Sequence, residues 1–311
     1  MIANFFNKST PFGKLSIIIL LSLVVITDVF SSEAINFNLI FFLKKIAILF
    51  FLLLNLYLIH FITKRNKLIK ENIYDMLLIV IFIAMFPDTT NFSPILISHF
   101  ILLLAFRRIY SLRTLKKPKE KLFDSSMYIG IATLIYPWSI LYLVLPYTAV
   151  ISFNKRTIRN VIIPLIGFIC PIFIYGTYLF LTDNFKGINS LFTYNFSFLN
   201  YNFLQLLIPL ALILGFIIWA TSSTTFKVIT TNNEIKNSWK LIITHLVISI
   251  LIVIPSPIKN GAEFLFLFFP MAVIFTNYLQ MVNEKWFKDV FLYLFMAVAI
   301  FRIYLQFYPI G

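Results

Sequence analysis

The sequence is short of everything a soluble catalytic domain relies on. It has one cysteine (Cys170), so neither an intramolecular disulfide nor a cysteine metal cluster can form. It has eight glycines in 311 residues, and none falls in a GxGxxG or GxxxxGK[ST] pattern; an HExxH pair is missing as well. Charge is scarce at 12% of residues, and acid is scarcer still, with 12 Asp and Glu against 26 Lys and Arg. An average soluble domain carries roughly 25% charge and about 45–50% apolar residues. Here the hydrophobic share is 60%, and 37 residues are Phe. No water-soluble fold of this length hides so much apolar surface.

What is present is a succession of apolar runs, at roughly 14–30, 37–63, 73–86, 92–106, 126–136, 138–153, 160–181, 203–222, 241–254, 264–281 and 289–306. A helix crosses a bilayer with about 20 mainly apolar residues, and shorter ones serve when buried in protein. Ten-residue stretches of alternating polarity, the mark of a membrane β-barrel, do not occur. The expected fold is therefore an all-α polytopic transmembrane bundle of about 11 membrane segments. The connections are short, so residues 1–311 read as a single integral membrane domain. The first run lacks a small-x-small cleavage pattern before Ser31-Ser32-Glu33 and reads as a retained span.

Basic residues orient such a chain, because short cytoplasmic loops carry the excess of Lys and Arg. One topology places all of the 26 basic residues except Lys44, Lys45, Lys186, Lys259 and Arg302 on a single side. It puts the N-terminus in the cytoplasm and the C-terminus in the periplasm of a bacterial inner membrane. The net charge of +14 is then an orientation signal and not a nucleic-acid surface. The same topology makes residues 125–153, which lie between two basic loops, enter and return as a short hairpin. Pro137 breaks the helix at its middle and Trp138 suits an interface.

The chemistry-bearing residues are few. His60, His99 and His245 each stand alone in an apolar run, the pattern of packed interhelical hydrogen-bonders. No metal or cofactor is expected. Seven acids, Asp75 and Asp289 among them, fall in the basic loops, where local charge pairing or a helix end accounts for them. The other five, Asp28, Glu33, Asp88, Asp183 and Glu263, fall on the opposite face. Asp28 lies within the last turn of the first span, where a carboxylate is costly and needs a partner. Asp88 sits in the turn-rich stretch Pro87-Asp88-Thr89-Thr90-Asn91, either as a functional acid or as the cap of a helix starting near Ser93. Lys259 either holds a lipid phosphate or snorkels to the interface. If residues 36–45 form an interfacial helix, Lys44 and Lys45 reach the same headgroup level. Asp28, Glu33, Asp88, Lys44, Lys45 and Lys259 would then form one outer-face cluster.

The stretch Tyr128-Ile-Gly130-Ile-Ala132-Thr-Leu-Ile-Tyr136-Pro137-Trp138, with Leu145-Pro146-Tyr147 and the basic loop 154–160, resembles the middle of GT-C-type membrane glycosyltransferases. So do Phe86-Pro87-Asp88 and the segment from Lys259 to Phe269-Pro270. The resemblance implies a polyprenyl-phosphate sugar donor, a catalytic Asp28 or Glu33, and lipid phosphate held by Lys259, Lys44 and Lys45. In that superfamily the first outer loop is long and carries the catalytic acids; here it shrinks to about Asp28–Lys45. The reading that follows is a non-catalytic GT-C-like accessory subunit of an envelope-biogenesis complex with a lipid-binding groove. A working glycosyltransferase is the alternative, and a lipid or small-molecule transporter the second. The partners expected are membrane lipids, polyprenyl phosphate among them, and other membrane proteins, with no nucleic acid. The chain also resembles, at Asn4–Phe12, Leu104–Arg113 and Lys121–Asp124, a family of Bacteroidota inner-membrane proteins that brings no activity with it.

Overall fold

A computed structural model of the chain describes residues 2–31, 39–114, 116–153, 157–182, 203–230, 233–257 and 259–308. These residues are predominantly helical, with no strand among them. The helices are α1 (Ile2–Phe6), α2 (Pro11–Ser31), α3 (Leu39–Arg65), α4 (Tyr74–Met85), α5 (Pro94–Tyr110), α6 (Pro118–Ile135), α7 (Val144–Ser152), α8 (Ile158–Leu181), α9 (Ile208–Ile229), α10 (Asn233–Val253), α11 (Leu265–Met281) and α12 (Lys285–Phe307). Eight helical stretches are long and apolar enough to cross a membrane, and Tyr74–Met85 and Pro137–Ser152 are shorter apolar helices. Among the described residues, each apolar run of the sequence falls largely on a helix.

The chain divides into two compact units. One comprises residues 1–92, 198–227 and 260–311; the other comprises 93–197 and 228–259. The first unit is organised around α4, whose 12 residues are all buried. A helix apolar on every side belongs at the centre of a bundle, and α4 takes that place against α2, α3, α11 and α12. At about 18 Å it is too short to cross a ~30 Å hydrocarbon layer. The turn Pro87–Thr90, a 3-10 helix, extends it at one end. Aromatic rings fill the space around it: Phe82 lies 5.6 Å from Phe268 and 6.0 Å from Phe275, and Phe291 stacks on Phe295 at 4.6 Å.

In the second unit α5 and α6 are antiparallel neighbours. Ser98 Oγ donates to the Ala132 carbonyl at 3.3 Å near one end, and Arg108 pairs with Asp124 at 2.8 Å near the other. Helix α8 runs in the same sense as α6. A Cβ at Gly167 would stand 2.6 Å from the Phe123 carbonyl oxygen, and a Cβ at Gly130 2.6 Å from that of Phe168 and from the Pro171 ring. The two helices approach this closely because both contact positions are glycine. Since α6 and α8 are parallel, the chain between them must come back, and it does. Helix α6 ends at Ile135, and Pro137 opens a seven-residue 3-10 stretch that runs into the nine residues of α7. Rises of about 2.0 and 1.5 Å per residue give these roughly 27 Å of return path. The expected hairpin and its break at Pro137 are therefore the geometry found.

Helix α10 closes the unit through a buried polar layer. Tyr110 Oη lies 3.1 Å from His245 Nδ1, Tyr142 Oη lies 3.0 Å from Ser249 Oγ, and the Phe106 ring packs 4.2 Å from the His245 ring.

Two local expectations fail. Residues 39–65 form one continuous helix with no separate interfacial piece, and Lys45 is turned into the bundle while Lys44 is exposed. A buried carboxylate across from Lys45 supplies the physical reason. The cap of α5 is Ser93 and not Asp88: its Oγ accepts from Leu96 N–H at 3.3 Å, with Pro94 at the first helical position.

Candidate functional site

Within the first unit, the ends of α2 and α4 and the start of α3 bring together three of the residues singled out from the sequence, Asp28, Lys45 and Asp88. Asp28 is buried in the last turn of α2. Lys45 reaches across from α3, and its Nζ lies 2.6 Å from Asp28 Oδ2. The same carboxylate oxygen accepts from Thr90 Oγ1 at 2.7 Å, and Lys45 donates a second bond to Asn91 Oδ1 at 3.1 Å. The ammonium also lies 5.8 Å from the Phe41 ring centroid. The side chains of the pair are only 11% and 12% exposed, so each charge depends on the other.

Asp88 stands beside this pair in the turn Pro87–Thr90 and accepts weakly from Asn91 Nδ2 at 3.4 Å. Burial pushes its carboxyl above the ordinary carboxylate range, and the nearby charge of Asp28 pushes the same way. Arg302 of α12 and Lys45 pull it back. Arg302 is itself buried, and its Nε has no hydrogen-bond partner among the described residues. The sequence placed Arg302 on this face but gave it no role, because an arginine near a helix end in a membrane protein reads first as a snorkelling residue.

The remaining candidates are placed differently. Glu263 is fully buried in a short 3-10 turn, where Oε2 accepts from Gly261 N–H at 2.9 Å. Gly261 has φ of 106°, the left-handed region that glycine enters without strain, and Glu263 holds that bend closed. Lys259 belongs to the second unit. Its Nζ donates to the carbonyls of Val253 (2.9 Å) and Ile254 (2.7 Å), capping the negative end of α10. Lys44 is exposed and takes no part in the Asp28 network. Glu33 lies outside the described residues.

A second polar cluster, which the sequence did not suggest, sits toward the opposite ends of α3 and α4. Asp75 is fully buried; His60 Nδ1 lies 3.0 Å from its Oδ2, and Thr63 Oγ1 donates to the same oxygen at 2.7 Å. Of the two expectations for Asp75, the helix end is the one found, in the first turn of α4, while pairing with a loop lysine or arginine is not. Its partners are instead Thr63 and His60 in the last two turns of α3, because the tight connection 66–73 folds those positions alongside it. Among the described residues, no group of three or more His, Cys, Asp or Glu could hold a metal ion.

The eight apolar helices and their buried, paired charges define a multi-pass integral membrane protein of the helical-bundle class. Residues 5–309 match the model of a family of unknown function, DUF6427, and the chain belongs to that family. No curated protein and no solved structure matches it.

Proposed function

We propose that this chain is a non-catalytic integral membrane protein acting as an accessory subunit of a membrane complex. The observation that carries this reading is the closed Asp28–Lys45–Thr90 network. A general base must be free to reach the proton it takes, and Asp28 Oδ2 is already occupied by the Lys45 ammonium at 2.6 Å and the Thr90 hydroxyl at 2.7 Å. A cation that holds a leaving phosphate must be able to turn to it, and Lys45 and Lys259 already point their ammonium groups at protein oxygens. Lipid or neighbouring helices would cover the broad apolar surface of α8 and α9, whose spans are only 22% and 28% buried.

The orientation proposed is cytoplasmic at the end carrying Lys64, Arg65, Lys67, Lys70, Lys285 and Lys288, and periplasmic at the Asp28 end of the first unit. The positive-inside rule supports it. The alternative, a GT-C-like transferase using a polyprenyl-phosphate sugar, requires Asp28 to leave Lys45 or Glu33 to serve as the base. Incubating the purified protein with polyprenyl-phosphate sugars separates the two. The accessory reading expects no sugar transfer from wild type. Transfer that disappears in Asp28→Asn establishes the enzyme instead.

A further inference from the structure

At the lysine-rich end of the first unit, α1, the start of α4 and the start of α12 enclose a cavity of about 80 Å³ lined by Ala3, Asn4, Asn7, Tyr74, Asn283, Lys285, Lys288 and Asp289. At ~10–15 Å³ per water-sized group, it has room for roughly six such groups, too little for an acyl chain and enough for a small head group. Its lining is of mixed charge. Asp289 is 5% exposed; Oδ1 accepts from Ala3 N–H at 2.8 Å, while Oδ2 is buried with no hydrogen-bond partner among the described residues. A buried carboxylate oxygen left unmatched costs free energy and calls for a donor. Lys285 and Lys288 also line the cavity, and Lys288 lies within electrostatic reach of both Lys285 and Lys70. Among the described residues none of these three lysines has an ion-pair partner.

The lining therefore combines a cationic rim with one buried acceptor that lacks a donor. A simple anion is repelled by Asp289 and a simple cation by the lysines. A group with a phosphate at one end and a primary ammonium at the other satisfies both. The neighbouring Trp286 is 60% exposed, as an indole is at the headgroup level of a bilayer. We propose that this cavity binds the head group of an aminophospholipid of the phosphatidylethanolamine type, its phosphate on Lys285 and Lys288 and its ammonium on Asp289. The site stands apart from the Asp28 network, and its fate is independent of the accessory-subunit reading.

The test is native mass spectrometry of the full chain in detergent micelles supplemented in turn with phosphatidylethanolamine, phosphatidylcholine and phosphatidylglycerol of identical acyl chains. Trimethylation removes the ammonium donors from the second lipid, and the third has no ammonium. Wild type should retain phosphatidylethanolamine about tenfold better than either, the scale of one charge-assisted hydrogen bond. Asp289→Asn should erase that preference. Lys285→Gln, at an exposed position that leaves the fold intact, should weaken phosphatidylethanolamine and phosphatidylglycerol together. Equal retention of the three lipids by wild type, or an unchanged preference in Asp289→Asn, would each overturn the proposal.

Discussion

Replacing Lys45 by methionine keeps the length and the apolar stem of the side chain and removes only the charge. Asp28 then keeps the Thr90 hydroxyl at 2.7 Å and loses the ammonium at 2.6 Å, in a site where its side chain is 12% exposed. Breaking a buried ion pair by deleting one partner costs about 3–5 kcal/mol, chiefly because an uncompensated charge is left behind. Lys45→Met should therefore destabilise the protein by about that amount. Asp28→Asn should cost less, since the amide oxygen still accepts from Thr90 and Lys45 retains Asn91. The double variant Asp28→Asn/Lys45→Met removes both charges and should recover most of the loss, giving a coupling of more than about 2 kcal/mol in a double-mutant cycle. The assay is denaturant unfolding of the detergent-solubilised protein followed by tryptophan fluorescence. Additive single-variant losses would refute the idea that the pair is a closed structural unit. A stabilising Asp28→Asn would do the same, because removing a strained catalytic carboxylate commonly raises stability.

Four further outcomes follow from the same geometry. Asp75→Ala should cost about 2–4 kcal/mol in the same unfolding assay, since it strands His60 and Thr63 in a buried site, whereas Thr63→Val should cost only about 1 kcal/mol. Gly130→Ala and Gly167→Ala should each destabilise by about 1–3 kcal/mol, because the added carbon meets backbone oxygen 2.6 Å away on a packed helix; a neutral result at either position would show that α6 and α8 can separate. Asp88 binds its proton more tightly in the fold than in the unfolded chain. Its contribution to stability should therefore fall as pH rises from the ordinary carboxylate range through the folded value, a slope that Asp88→Asn should flatten in pH-resolved melting curves. Lys259→Ala should cost about 1–2 kcal/mol by uncapping α10, and hydrogen exchange should rise first at Val253 and Ile254.

Much of the architecture is readable in the residues because the bilayer imposes simple rules. Apolar runs of sufficient length became helices, and Pro137 broke the chain at the hairpin because it cannot continue a helical ladder. The need of Asp28 for a partner was legible from its depth alone. The identity of that partner was obscured by treating Lys44 and Lys45 as one interfacial pair, when adjacent helical residues point about 100° apart and only one could turn inward. The His60–Asp75 pair is hidden for a related reason: neither residue alone signals the other. Both pairs join consecutive helices near the ends that flank their connection, at unequal distances from it, so residue spacing does not match them. Lys259 and Glu263 carried no signal separating a ligand-binding role from the capping and bend-closing roles they hold, because both depend on backbone geometry that residue types do not encode.

The central claim is that the chain works through association and not through catalysis. Affinity purification from native membranes in a mild detergent, with quantitative mass spectrometry of co-purifying proteins and lipids, tests it most directly. The account predicts at least one integral membrane protein retained in stoichiometric amount, with no polyprenyl phosphate enriched over the bulk membrane. A chain that purifies alone with bound polyprenyl phosphate, and that loses the lipid in Lys259→Ala, would contradict it.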